Sequence, residues 1–243
     1  MNNKEAKFVE TVWEHYQTSG RHTLPWRKTH NPYAITVSEM MLQQTQVERV
    51  IPKYQLFLKL FPSVKKLAAA PLAEVLIAWQ GLGYNRRAKL LHHCAQYVVK
   101  ESKGVFPRTY SELLKLPGVG PYTAGAIMAF AYNQAVPLIE TNVRTVYLHH
   151  FFSSKVNVTD TEILRLVSRT LPIDNSRLWY AAVMDYGSYL KKKNGNNTTQ
   201  SISYSKQSKF KGSDRQVRGV ILRALSRNPL MTKHQLEGLL PLE

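Results

Sequence analysis

The sequence predicts an all-α fold. Three observations carry that prediction: apolar residues recur at helical spacing along most of the chain, Gly and Pro punctuate the gaps, and no stretch alternates apolar and polar residues long enough to make a strand. Residues 4–18 carry Phe8, Val12, Trp13 and Tyr16 at helical spacing, and Gly20 ends the pattern. A loop stiffened by Pro25 follows, with Trp26 and Arg27. Helical patterns resume at about 34–47, 49–60, 72–79, 86–101, 110–116, 121–133, 141–152, 160–171 and 176–189. From Lys191 to Ser213 the chain is basic, rich in Ser and Asn, and nearly free of apolar residues, which predicts a flexible linker. Val217, Val220, Ile221, Ala224 and Leu225 form one more stripe. A turn at Asn228-Pro229 leads to a last short helix through Leu236, Leu239 and Leu240, so 214–243 is expected to be a small helical appendage.

Composition bounds the partners. The 243 residues hold 33 Lys and Arg against 16 Asp and Glu, a formal charge of +17. That balance points to a polyanion, nucleic acid first and an anionic membrane surface second. Cys94 is the single cysteine, which excludes an intrachain disulfide and a multi-cysteine metal site. The apolar run of a signal peptide or membrane span is missing, so a cytosolic protein without a membrane partner is expected. His92-His93 and His149-His150 are adjacent on helical patterns. Their side chains point about 100° apart, which argues against a shared metal ion.

The most informative stretch runs from Leu113 to Val146. Leu116-Pro117-Gly118-Val119-Gly120 is a tight turn between two helical patterns. Such a turn can point consecutive backbone N–H groups outward, and the next helix adds the positive end of its dipole. Gly118 and Gly120 allow positive φ and close approach to a phosphate, and Pro121 suits the first helical turn. An ordinary packing corner has the same local pattern. Further on, Pro137-Leu138-Ile139 delivers Glu140 to the head of another helix, where the dipole alone favours a carboxylate. Glu39 lies between Val37 and Met40-Met41-Leu42. Partial desolvation there would raise its pKa, whereas a solvated face with Gln43 and Gln46 would leave it exposed.

Leu116–Gly120, Val37-Ser38-Glu39-Met40-Met41-Leu42-Gln43-Gln44-Thr45-Gln46-Val47, Gly81-Leu82-Gly83-Tyr84 and Asn142-Val143-Arg144 together resemble the helix-hairpin-helix DNA glycosylases. The nearest branch is the enzymes that remove adenine mispaired with 8-oxoguanine. The resemblance runs from about Leu24 to Tyr189. It implies two helical lobes with a DNA-binding cleft between them, a six-helix lobe over residues 28–135 and a second lobe of 1–27 with 136–190. It also implies the chemistry. The leaving base must be protonated and the cationic sugar stabilised, work that two carboxylates in different environments can divide. Glu39 matches the catalytic acid. Glu140 stands where the family carries an aspartate, and Thr141 where a glycine is usual. Tyr122 stands where strand-cleaving relatives carry a Schiff-base lysine, which implies a monofunctional enzyme. Gln44 matches a wedge behind the flipped base, Tyr84 an aromatic beside the opposite base, and Trp26, Arg27 and Asp185 the base pocket. The implied partner is double-stranded DNA with a mismatched or oxidised pair, bound by a monomer. Cluster-bearing relatives carry four cysteines after the Met-Asp-x-Gly segment. Here Lys191-Lys192-Lys193-Asn194 follows Met184-Asp185-Tyr186-Gly187, so no iron–sulfur cluster and no other cofactor is expected. Arg86, Arg87, Lys89, Arg108, Arg144 and Lys191–Lys193 are candidate phosphate contacts. Thymine or uracil mismatch glycosylases, and a catalytically silent DNA-binding protein, remain open as alternatives.

Overall fold

Helices account for the regular structure of the described residues, with one isolated bridge between Val158 and Ser201 and no strand. The computed structural model describes residues 1–206, 209, 212–228 and 230–239. The helices are α1 (Asn3–Ser19), α2 (Pro32–Leu42), α3 (Val47–Leu60), α4 (Val64–Ala69), α5 (Leu72–Trp79), α6 (Arg86–Ser102), α7 (Tyr110–Leu113), α8 (Pro121–Tyr132), α9 (Thr141–Phe151), α10 (Asp160–Thr170), α11 (Ser176–Asn194), α12 (Asp214–Arg227) and α13 (Lys233–Glu237). Local chemistry sets several starts. Asn2 with Glu5, and Thr159 with Glu162, form capping boxes at α1 and α10, which satisfy orphan amides from both sides. Pro121 opens α8, where a missing N–H costs nothing.

The chain divides into two compact units. Unit 1 is Met1–Glu39 with Phe106–Ser205, and unit 2 is Met40–Val105 with Lys206–Glu243. This differs from the expected boundaries, because the hairpin segment falls in unit 1 and not with residues 40–105. The reason is that α8 is apolar nearly all round. Its Ala126 and Ala129 sit in a core with Leu138, Val143 and Trp179, and Gly125 lets Leu138 approach closely. Phe8 of α1 belongs to that core, 5.1 Å from the ring of Tyr147 and 5.9 Å from that of Trp179.

Unit 2 packs α4, α5 and α6 together with α3 around Phe57, Leu67, Val75, Trp79, Leu91 and Val98, all buried. Cys94 is on α6 and also buried. Among the described residues, no group of three His, Cys, Asp or Glu is placed to hold a metal ion, and no helix is long and apolar enough to cross a membrane.

The stretch expected to be a flexible linker is ordered over its first part. Helix α11 runs on to Asn194, and Asn197–Gln200 forms a 3-10 turn with Thr198 buried. Val158 N–H donates to Gln200 O and Ile202 N–H to Val158 O. Hydrogen bonds do here what apolar burial does elsewhere: Asn197 donates to Thr145 O, and Asn196 accepts from Thr198. These residues offer amides, hydroxyls and an ammonium, none of them a thiolate, so they do not fit an iron–sulfur cluster. Residues 207, 208, 210 and 211 of the expected linker, Pro229 of the expected turn, and Leu240 with the remaining C-terminal residues lie outside the described residues.

Candidate active site

Glu39 sits on α2 among Val37, Met40 and Met41, all buried, and is itself only 4% exposed. That burial matches the desolvated reading of the sequence and not the exposed one. Burial raises its pKa from the usual 4.5 to about 7, against a lowering by the hydrogen bond from Tyr122, with the charge of Glu140 pushing it up as well. The expected companions Gln43 and Gln46 are not on its helix face. Helix α2 ends at Leu42, and Gln44 takes a left-handed φ of 55°.

Tyr122 lies in the first turn of α8 and donates its hydroxyl hydrogen to Glu39 Oε2 at 2.6 Å. Burial and the two nearby carboxylates, Glu39 and Glu140, hold its own pKa well above 10, so it stays a donor. Glu140 immediately precedes α9. Its Oε1 accepts N–H of Asn142 at 2.6 Å and of Val143 at 2.9 Å, which makes it the N-cap of that helix. The helix-end reading of Glu140 is met by these bonds. Thr141 behind it is exposed.

The hairpin turn itself differs from expectation in one respect. Gly118 has a φ of 78°, but Gly120 has an ordinary φ of −92° and serves as N-cap of α8. A Cβ on Gly120 would meet nothing within 4 Å, so neither backbone conformation nor packing within the chain requires a glycine there. Val119 is buried, with its N–H donated to Leu116 O. It anchors the turn rather than facing out.

Trp26 is buried in a 3-10 turn, Pro25–Lys28. Arg27 makes a bidentate pair with Asp185, at 2.6 and 2.7 Å, and Arg21 adds its side chain at 2.6 Å and its backbone N–H at 2.7 Å. Both carboxylate oxygens of Asp185 are thus held by arginines. Burial alone would raise its pKa, but these bonds and charges win and hold it below the usual range. The three predicted pocket residues are brought close together, and Arg27 and Asp185 bond each other.

In unit 2, Gln44 and Tyr84 are both non-glycine residues with left-handed backbone, φ 55° and 46°. Sequence reasoning missed what holds them. Arg87, read as a phosphate contact, is buried. It donates to the carbonyls of Met40, Met41, Gln43, Leu82 and Gly83 and to the Thr45 hydroxyl. One guanidinium thereby closes the end of α2 and ties the turn carrying Gln44 to the turn carrying Tyr84. Arg215 of α12 was also missed. It lies 5.4 Å over the Tyr84 ring and donates to the Tyr84 hydroxyl. A cavity of 840 Å³ lies beside these groups, lined by Gln44, Tyr84, Leu82, Arg215 and Leu222 among others. Arg144 and Lys191 are likewise turned inward, to Asp160 and Asn142.

A family model described as HhH-GPD superfamily base excision DNA repair protein matches residues 37–176, which spans Glu39, the hairpin and Glu140. The chain belongs to that superfamily. Its HhH-GPD relatives include the adenine DNA glycosylase of Mycolicibacterium smegmatis, 38% identical over 223 residues, covering 84% of this chain and 76% of the relative. The adenine DNA glycosylase of Buchnera aphidicola subsp. Baizongia pistaciae is 37% identical over 187 residues, covering 75% of this chain and 52% of the relative. The chain thus spans about half the length of that relative. A thermostable thymine-DNA glycosylase superposes with a TM-score of 0.70 at 27% identity, covering 77% of this chain and 87% of that one. A non-covalent endonuclease III–DNA complex, at TM-score 0.67 and 18% identity over 81% of this chain and 91% of that chain, shares the fold.

Proposed function

We propose that the protein is a monofunctional DNA glycosylase of base excision repair, which hydrolyses the N-glycosidic bond of adenine opposite 8-oxoguanine or guanine. The observation that carries this is the buried Glu39, its pKa raised to about 7 by burial, bonded to Tyr122. Because Oε2 already accepts from Tyr122, the acid proton resides on Oε1, free to pass to a ring nitrogen of the leaving base. The bond electrons go to the base, the sugar becomes cationic, and Glu140 stabilises that charge until water adds. Tyr122 has no amine to form a Schiff base, so the product is an abasic site in an intact strand. The target base leaves the stack to react. Gln44 and Tyr84 fill and flank the gap, Trp26, Arg27 and Asp185 shape the base pocket, and the Gly118–Gly120 turn holds phosphate without reading bases. The enzyme acts in the cytosol, on nucleoid DNA, as a monomer.

Adenine is preferred because the curated relatives at 37–38% identity are adenine glycosylases. The thymine-DNA glycosylase neighbour supports thymine or uracil opposite guanine as the second reading. Duplexes holding a single A·8-oxoG, A·G, T·G or U·G pair, incubated and then treated with alkali, separate the two. Breaks only at adenine support the first reading. Breaks at T·G or U·G replace it with the second, and binding without breaks makes the protein a silent DNA binder.

A further inference from the structure

Helices α9 and α11 meet at a point where only glycine fits. A Cβ on Gly187 would lie 2.5 Å from the Asn142 carbonyl oxygen and 2.7 Å from Asn142 Cβ. One turn later on α11, Lys191 donates from Nζ to Asn142 Oδ1 at 3.0 Å. Asn142 in turn holds Glu140 twice. Its backbone N–H donates to Oε1 at 2.6 Å, and its Nδ2 lies 3.4 Å from Oε2. An ammonium can only donate, so Lys191 dictates which way the Asn142 amide points: oxygen toward lysine, nitrogen toward Glu140. Without that cation the amide is free to flip and set its oxygen against the carboxylate.

We propose that Lys191 is a positioning residue for Glu140: through the Asn142 amide it fixes the second carboxylate oxygen, while the α9 amides fix the first. This rests on the glycosylase reading above. Charge supports the arrangement. Burial lowers the Lys191 pKa and Arg144 adds to that, whereas Glu140 pulls it back up, so the ammonium is held partly by that carboxylate. Arg144 cannot take over the role, because Asp160 holds its guanidinium at 2.9 Å.

The test uses Lys191→Met, which keeps the apolar stem, and Lys191→Arg, which keeps a cationic donor. Single-turnover rates on an A·8-oxoG duplex should fall about tenfold to a hundredfold in K191M and recover substantially in K191R. Duplex affinity, read in a Glu39→Gln background, should change less than about twofold. In an Asn142→Ala background K191M should cost little more, because the two side chains act in series. Unchanged K191M rates, losses confined to affinity, or additive losses with N142A would each overturn the proposal. A readout independent of turnover uses ¹³Cε-labelled lysine. Glu140→Gln should move the Lys191 NMR titration midpoint down, and an unmoved midpoint overturns the coupling. If the midpoint moves but the wild type releases no base from any duplex, the functional reading fails while the coupling stands.

Discussion

Glu39 gains its acidity range at the expense of the fold. A carboxyl whose folded pKa is raised stabilises the fold fully below its unfolded pKa and loses that contribution as pH rises toward the folded value. For Glu39 the window runs from 4.5 to about 7, worth roughly 3 kcal/mol above it. Glu39→Gln should therefore melt higher than the wild type at pH 8, with the gap closing near pH 4.5, and should release no base. Equal melting temperatures at both pH values would refute the burial argument. The same protonation fixes the rate profile: single-turnover excision should be flat below about pH 7 and fall above it, as the acid is lost. Glu140→Gln separates two duties. Its amide oxygen can still cap α9, so stability should change by less than about 0.5 kcal/mol, while loss of the charge should slow excision by about a hundredfold or more. For Glu39 a desolvated carboxyl was legible as one of two open readings, while its bond to Tyr122, 83 residues on, was not. Asp185 was less so, since its partners Arg21 and Arg27 lie more than 150 residues away.

At the scale of elements, most helices could be read from spacing and punctuation, but their ends could not. The stripe Glu39, Gln43, Gln46 predicted one helix through residue 47. The break at Leu42 has no local signal, because it comes from Arg87, more than 40 residues on, taking the carbonyls of Met40, Met41 and Gln43. Arg87→Met should cost about 3 kcal/mol or more in a chemical denaturation curve, by orphaning several buried acceptors. A loss under 1 kcal/mol would show that water replaces it. Helix α4 was missed because only six residues and the Ser63 cap announce it. Gly187→Ala pits two effects against each other. Alanine favours a helix by about 1 kcal/mol, but the new Cβ meets Asn142 backbone at 2.5 Å. The clash should win, with a net loss of about 1–3 kcal/mol seen as a lower melting temperature.

For the whole molecule, the charge of +17 points to a polyanionic partner but does not say which cations would be available to it. Three of the expected phosphate contacts are spent inside the fold: Arg87 on carbonyls, Arg144 on Asp160 and Lys191 on Asn142. Arg86, Lys89, Arg108, Lys192 and Lys193 remain exposed. If those five meet phosphates, log affinity against log salt should have a slope of about −4.5, and each charge-removing substitution should flatten it by about 0.9. Substituting Arg144 should leave the slope unchanged.

Cys94 offers a use of another kind. It is the single thiol of the chain, buried in α6, and burial pushes its pKa up to about 12. A thiol so placed is inert to disulfide reagents until unit 2 opens. Its labelling rate is therefore a clock for transient opening of that unit, running without any engineered probe. Arg87 sits two turns earlier on the same helix, so the clock should run faster in Arg87→Met and slower once DNA is bound.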